Sequence, residues 1–185
     1  MAFDKYWGRF PARTKRMLTI LIFFFISLIV TVAGVLTPLS SEEAETLSKE
    51  LDQRRESIKE MDILQSTSSI FGNNFMICLL SFTPIAGPIF GFLVLYSTGV
   101  VIAADSMAYG FHPLLGFISL FILPIAWMEF CAYSMAFAES TWLTWLIIKG
   151  KGRNELRKTC IFIAICAVVL LAAAFIEALF IQYLM

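Results

Sequence analysis

The stretch that decides the fold is Met17–Leu36, MLTILIFFFISLIVTVAGVL, which contains no charged residue. A helix of about 20 apolar residues can cross the roughly 30 Å hydrocarbon layer of a membrane. The run is longer than the apolar region of a secretory signal peptide, and no A-x-A cleavage pattern follows it. The sequence therefore predicts that residues 17–36 form a retained first transmembrane span.

The composition extends this prediction to most of the chain. Of its 185 residues, 59% are hydrophobic, and the mean hydropathy is +0.80. A soluble domain has an apolar share nearer half. Apolar runs resume at Ile70 and continue almost to Met185. The predicted fold is all-α, a polytopic transmembrane bundle of about five spans with broken helices and an external amphipathic helix. Its segments are a cytoplasmic basic N-terminus (1–16), the first span (17–36), an external helical segment (37–69) and a membrane bundle (70–185).

The charges are distributed unevenly although their sum is zero. The segment between the first two predicted spans holds eight acidic and four basic residues. The other basic residues form one cluster before the first span and one in a short loop: Lys5, Arg9, Arg13, Lys15 and Arg16, then Lys149, Lys151, Arg153, Arg157 and Lys158. The positive-inside rule places both clusters in the cytoplasm and the acidic segment outside. We expect the N-terminus inside, the C-terminus outside, and no binding of nucleic acid.

The acidic segment has the pattern of an amphipathic helix of about 20 residues. Ser40 and Ser41 are suitable N-caps, and Glu42 and Glu43 suit the positive end of the helix dipole. Apolar residues recur near one face, at Ala44, Leu47, Leu51, Ile58 and Met61. This face either packs against the spans or the lipid surface, or it docks a partner.

Prolines divide the rest of the bundle. Thr83–Pro88 contains two prolines and a glycine and should break a helix, and Gly110–Pro113 should form a turn. Leu114–Ile148 would be about 50 Å long as one helix, which is too long for one crossing. Pro124 is expected to separate a short interfacial or re-entrant helix, Leu114–Leu123, from a full span.

Small residues recur at four-residue spacing in the later spans. The pairs are Gly87 with Gly91, Ala132 with Ala136, and Ala174 with Ala178. Such pairs let helices approach closely in lipid. They predict close packing within the chain or, as the alternative, a homo-oligomer interface.

No motif of an enzyme occurs in the chain. The sequence contains no G-x-S-x-G, no H-E-x-x-H and no glycine-rich phosphate loop. The cysteines lie within apolar runs without a C-x-x-C pair, and we expect them to be buried thiols: Cys78, Cys131, Cys160 and Cys166. The sequence predicts no enzymatic activity, no cofactor and no metal site.

Acidic residues within the apolar runs are the candidate functional residues. Asp105, Glu129 and Glu177 project to one depth, about 25–30 Å above the inner face, at 1.5 Å per helical residue. Carboxylates in hydrocarbon are costly unless they are neutral, paired or hydrated. The candidate is a cation or proton site, with His112 in the outer turn above it and Glu139 deeper in the membrane. The alternative is interhelical hydrogen bonding by these acids.

The order and spacing of several short motifs resemble the stage II sporulation protein M family of multi-pass membrane proteins. The matching positions are Asn73 and Asn74 at the start of the second span, Gly87, Ser97-Thr98-Gly99, Pro124 before Glu129, and Ile176-Glu177-Ala178. Members of the family commonly have Pro-His-Gly before the glutamate, where this chain has Pro124-Ile125-Ala126. The missing histidine weakens any proton-relay or metal role at this position.

The resemblance implies an envelope protein of a bacterial or archaeal cytoplasmic membrane. It implies a non-enzymatic integral membrane scaffold or assembly subunit of a cell-envelope complex, with membrane or envelope proteins as partners. The competing hypothesis is a subunit of a transporter or permease that moves a cation or small solute through the acidic pocket. Broken helices support that alternative, because they often line transport sites.

Overall fold

The structure, a computed structural model, describes residues 11–184, so Lys5 and Arg9 of the predicted cytoplasmic N-terminus lie outside the described residues. All regular structure in this part is helical. Its helices are α1 (Ala12–Val35), α2 (Ser41–Lys59), α3 (Ile63–Ser81), α4 (Ala86–Ala108), α5 (Pro113–Leu120), α6 (Pro124–Ile148) and α7 (Gly152–Leu184). The predicted all-α class is confirmed.

Three described helices are long and apolar enough to cross a membrane: α1, α4 and Glu155–Tyr183 of α7. The pair α5 and α6 meets the same criteria together but is bent by 85° at its break, which gives up to four candidate spans. Helix α3 is not among them, because polar residues such as Gln65, Asn73 and Asn74 occur along its 19 residues. The structure thus describes an all-helical protein with three or four candidate membrane spans.

Local capping interactions define the ends of α2. The Ser40 hydroxyl accepts a hydrogen bond from the Glu43 amide at 3.3 Å, and the Glu43 carboxylate accepts one from the Ser40 amide at 2.9 Å. This reciprocal capping box satisfies amides that have no partner within the helix. Hydrogen bonds from the Ser40 hydroxyl and amide hold the pKa of Glu43 below its usual value. The helix predicted after Ser40 is therefore present, with 19 residues.

The proline-rich turn between α3 and α4 breaks the chain as predicted. Ile85 has a φ of 66°, which is rare for a β-branched residue, and the Ala86 amide donates to the Pro84 carbonyl across it at 2.8 Å. Helix α6 holds this turn in place. The Ile85 amide donates to the Thr144 hydroxyl at 3.0 Å, and the Ser140 hydroxyl donates to the Thr83 carbonyl at 2.7 Å.

Several helices begin earlier than the apolar runs suggested. Helix α3 starts at Ile63 because Asp62 caps it, accepting from the Gln65 amide at 2.7 Å. Asn73 and Asn74 therefore lie inside α3 and do not form its entrance. Helix α7 likewise starts at Gly152 and not near Lys158. Hydropathy locates the part of a helix that suits lipid, whereas backbone hydrogen bonds extend the helix into its polar flanks.

The apolar stripe of α2 packs within the chain. Ala44 and Ser48 are buried against α4, and Leu47 and Leu51 are partly buried. Further along the same stripe, Ile58 joins a cluster formed by Ile70 of α3 and Ala174, Ala178 and Ile181 of α7. The structure therefore favours packing of this face against the bundle over its use as a docking site.

The centre of the bundle is formed by α6 and α7. The predicted small-residue pairs lie here or at the α4 crossings, and Ala132, Ala136, Ala174 and Ala178 are fully buried within the chain. Cys78 and Cys166 are also buried and both face the Ala132 carbonyl. The expectation of four buried thiols is wrong for Cys131 and Cys160, which are exposed on the outer faces of α6 and α7.

The closest helix crossing joins α1 to α4. A Cβ atom on Gly99 would lie 2.1 Å from the Thr31 carbonyl oxygen, and one on Gly34 would lie 2.1 Å from the Tyr96 carbonyl oxygen. Both obstacles are backbone atoms that cannot rotate away. Glycine is therefore required at both positions for the two backbones to touch.

We expect Gly99→Ala to destabilise the bundle by about 1–3 kcal/mol, because the added methyl group overlaps the α1 backbone. Gly72→Ala is the matched control. It also lies within a helix, but an added Cβ meets no atom within 4 Å, so the change should be neutral or slightly stabilising. Unfolding of the purified protein in detergent by heat or denaturant would compare the two. Equal stability of both variants would contradict the close crossing.

Candidate functional site

A bidentate ion pair ties α2 to the end of α4. Both terminal nitrogens of the Arg55 guanidinium donate to the Asp105 carboxylate, each at 3.0 Å. The same guanidinium donates to Asp52 at 3.2 Å, and the Tyr109 hydroxyl lies 3.3 Å from the Asp52 carboxylate. Two parallel hydrogen bonds fix the orientation as well as the distance of the pair. Asp105, predicted as an acid of a shared site, therefore has its partner on α2.

The environment of Arg55 keeps it charged. Partial burial lowers the pKa of Arg55, but the hydrogen bonds and charges of Asp105 and Asp52 outweigh this effect and raise the pKa above its usual value. A permanently charged guanidinium suits this position, because it can bind two carboxylates through its planar fork.

Glu129 has a different partner, on α3. The Asn74 side-chain amide donates to its carboxylate at 2.5 Å, and the neighbouring Asn73 amide donates to the Asn74 carbonyl oxygen at 3.3 Å. The Asn73 amide thus orients the Asn74 side chain, which in turn orients the Glu129 carboxylate. This interhelical hydrogen bond joins α3 to α6 in the half of the bundle that also contains Asp105.

Glu177 of α7 interacts electrostatically with one member of each pair. Its charge is attracted by that of Arg55 and repelled by that of Glu129. These interactions link Asp105, Glu129 and Glu177 electrostatically. We call Asp52, Asn74, Arg55 and these three acids the outer cluster. It contains more carboxyl groups than cations, a balance that attracts positive charge or favours shared protons.

His112 has a local structural contact. It is the N-cap of α5, and its Nδ1 accepts a hydrogen bond from the Leu114 amide at 3.2 Å. Pro113 follows at the first helical position, which suits its fixed φ. The hydrogen bonds of the described residues do not connect His112 with the outer cluster.

Glu139 belongs to a second group near the opposite end of the bundle. Its carboxylate is fully buried and is contacted by Arg16 of α1, which also contacts Glu155 at the start of α7. Lys158 lies 3.2 Å from Glu155, and the Arg16 guanidinium lies 5.5 Å from the ring centre of Trp142. We call these five residues the inner cluster. One arginine thereby joins three helices, α1, α6 and α7.

The hydroxyl groups close to Glu139 in sequence are used elsewhere. Ser134 and Thr141 donate to the carbonyls of Phe130 and Phe137 in their own helix, and Ser140 donates to Thr83. Oε2 of Glu139 and the indole N–H of Trp142 are buried and lack a hydrogen-bond partner among the described residues. The charge of Glu139 is therefore compensated mainly by Arg16.

The two arginines are the site residues that the sequence reasoning missed. Arg55 follows Leu51 by four positions and precedes Ile58 by three, so the helical spacing placed it on the buried side of α2. Arg16 directly precedes the first apolar run and was interpreted only as part of a topology signal. In both cases the useful signal was an arginine at a helix position that faces the bundle.

Among residues 11–184, no group of three or more histidine, cysteine or acidic side chains is arranged to hold a metal ion. The chemistry that the two clusters display is the pairing of buried charges and amides between helices.

A family model described as stage II sporulation protein M matches residues 20–180. The chain belongs to the stage II sporulation protein M family. The match confirms the resemblance drawn from the short motifs. No curated protein and no solved structure matches the chain.

The positions that carried the resemblance to the stage II sporulation protein M family have identifiable contacts in the structure. Asn73 and Asn74 orient Glu129, Gly99 allows the α1 crossing, and a Cβ on Gly87 would lie 2.1 Å from the Ser81 carbonyl oxygen. Pro124 is the first residue of α6. These family positions therefore define helix starts, close crossings and an interhelical hydrogen bond.

A double-mutant cycle would measure the pair that joins α2 to α4. We expect Arg55→Gln and Asp105→Asn to show a coupling of about 1 kcal/mol in unfolding, decreasing at high salt, because the pair is bidentate and partly shielded from water. The exposed pair of Lys49 with Glu45 is the control, with a smaller expected coupling, because water screens both charges. A coupling no larger than that of the control would contradict the proposed tie.

The inner cluster predicts a stronger effect. Arg16→Leu should destabilise the protein by about 3–5 kcal/mol, because it leaves the fully buried Glu139 carboxylate without a cation and Glu155 with Lys158 alone. Adding Glu139→Gln and Glu155→Gln should recover much of this loss. Lys15→Leu, at the preceding position, should cost under about 1 kcal/mol. Unfolding in detergent tests the series, and failure of the glutamines to rescue would exclude unpaired charge as the cause.

Proposed function

We propose that the protein is a non-enzymatic integral membrane scaffold or assembly subunit of a cell-envelope complex. The observation that carries the proposal is that three acids each have a partner on another helix of the chain: Asp105 has Arg55, Glu129 has Asn74, and Glu139 has Arg16. Such pairs hold helices in fixed positions, as a platform for partner proteins requires. Two hollows of the described part are surface grooves lined mainly by apolar residues. Membership of the stage II sporulation protein M family fits this role.

The same geometry gives less support to transport. A transport site needs polar groups that are free to exchange partners with a substrate. Here Asp105 is bound by Arg55, Glu129 by Asn74, and Glu139 by Arg16. We therefore propose that these acids attach neighbouring helices to one another. The charge of Glu177 adds to the negative electrostatic potential at Arg55.

Helix directions support five crossings, and the positive-inside rule then places the N-terminus inside and the C-terminus outside a cytoplasmic membrane. Helices α1 and α4 run in the same direction, because Phe23 stacks near Phe92 and Gly34 meets Gly99. Helices α3 and α6 also run together, since Asn74 binds Glu129 and Thr83 binds Ser140. Helices α1, α4 and α7 then run in one direction across the membrane, and α3 and α6 run in the other. This gives a consistent five-span arrangement, in which α3 crosses although its composition is polar.

The partner surface that we propose is the polar face of α2. Its apolar stripe is covered by the bundle, whereas the opposite side is exposed and rich in charge: Glu42, Glu45, Lys49, Gln53 and Glu56. In the five-span arrangement this face lies outside the membrane. An envelope protein that docks there would be connected to the spans through Arg55.

Topology can be tested by labelling single cysteines in a background without the four native ones. Gln53→Cys on α2 and Lys151→Cys in the α6–α7 turn are both at exposed positions. A membrane-impermeant thiol reagent added to intact cells should label the first and not the second. Both should react after the membrane is permeabilised. Labelling of the second position only would contradict the proposed orientation.

The scaffold role can be tested by purification from crosslinked native membranes. We expect a stable partner to co-purify, and Glu45→Lys with Glu56→Lys to release it while thermal unfolding stays unchanged, because both side chains are exposed. Arg157→Glu, an exposed charge reversal in the α6–α7 region, is the control and should retain the partner. A protein that purifies alone from crosslinked membranes would contradict the scaffold proposal.

A further inference from the structure

An apolar groove opens on the surface where α6 ends and α7 begins. Its volume is about 330 Å³, and it is lined by Leu143, Ile147, Gly150, Gly152, Arg153 and Leu156. Arg153 supplies the only charged side chain in this lining of described residues. A hollow with an apolar floor and one cation at its rim is suited to a ligand that is apolar along its length and anionic at one end.

The backbone of the turn shapes this groove. Gly150 has a φ of +70°, which ends α6 in the left-handed conformation that glycine adopts readily. A Cβ on Gly152 would lie 2.7 Å from Cγ1 of Ile147, so glycine there keeps the start of α7 close to α6. The groove is thus held by the turn and lies between two helix ends.

A second groove flanks the other side of the last turns of α6. Its volume is about 320 Å³, and Trp145 and Ile148 contribute to its lining. The Lys149 ammonium lies 3.7 Å from the centre of the Trp145 ring, a cation–π contact that holds the lysine beside this groove. Each groove therefore has one cation next to an apolar surface.

The cations of this turn are available for a ligand. Lys149, Lys151, Arg153 and Arg157 are exposed, and no described acidic side chain forms an ion pair with them. Lys158 differs, because it is paired with Glu155 of the inner cluster. Basic residues at the end of a membrane helix attract the headgroups of anionic lipids.

We propose that the α6–α7 turn binds an anionic phospholipid. One acyl chain lies in the groove between Leu143 and Leu156, and the headgroup phosphate interacts with Arg153 at its rim. In this arrangement Trp145 would lie near the level of the headgroups, which is the depth that its amphipathic ring favours. The lipid fills the space between α6 and α7 next to the inner cluster, so binding should also stabilise the fold.

Native mass spectrometry of the delipidated full chain in detergent tests the proposal with two lipids of equal chain length, phosphatidylglycerol and phosphatidylcholine. We expect the wild-type protein to retain phosphatidylglycerol at least about five-fold more strongly, the factor expected from one basic side chain near the lipid phosphate. Arg153→Gln should remove this preference. Equal retention of the two lipids by the wild-type protein would overturn the proposal.

Two further variants separate a defined site from general attraction by positive charge. Arg157→Gln removes the same charge near the same turn but leaves the groove and Arg153 intact, so it should keep most of the preference. Leu156→Trp keeps all charges but fills the groove and should abolish it; position 156 is about half exposed, so the fold should tolerate the ring. Equal effects of the two glutamine variants, or full retention by Leu156→Trp, would refute a defined site.

Discussion

The structure depends on one constraint: a charge or polar group placed among apolar helices must find its partner within the protein. Arg16 meets this constraint near one end of the bundle and Arg55 near the other. Each guanidinium contacts two carboxylates, so each connects separate helices. Apolar packing in lipid distinguishes weakly between helix arrangements, because lipid tails are as apolar as leucine side chains. The charge pairs and the glycine crossings therefore specify which helices are neighbours and in what register.

Close backbone approach is the second source of specificity. Gly34 and Gly99 allow α1 and α4 to touch, and Gly91 accepts the Phe137 ring of α6 where any Cβ would overlap it. Phe137 also lies 5.0 Å from the ring of Phe92, which in turn stacks near Phe23. Small and aromatic residues thus interlock across α1, α4 and α6. The serine and threonine hydroxyls nearby bond mostly to carbonyls of their own helices, so few polar groups are left facing lipid.

Much of the fold could be predicted from the sequence because its signals are local. Apolar length predicted α1, α4 and α6, the N-cap residues Ser40 and Ser41 predicted the start of α2, and Pro84, Pro88 and Pro124 predicted the breaks. Helix starts at Ile63 and Gly152 were missed, since backbone hydrogen bonds extend helices beyond their apolar portions. The pairing of acids with arginines could not be predicted, because it depends on how distant helices pack. Common depth grouped Asp105, Glu129 and Glu177, but depth alone does not reveal Arg55 as the partner of Asp105 or Asn74 as the partner of Glu129.

The position of Arg55 has a consequence for how an external partner would act on this protein. Arg55 is on α2, yet its strongest contacts are with Asp105 at the end of α4, and its charge reaches Glu177 on α7. Ile58, one turn later, packs against α3 and α7. Helix α2 therefore cannot shift without disturbing a bidentate ion pair and an apolar cluster together. Those two contacts involve α3, α4 and α7. A force applied to the polar face of α2 is therefore distributed over most of the bundle, which is the mechanical property that the proposed anchoring role requires.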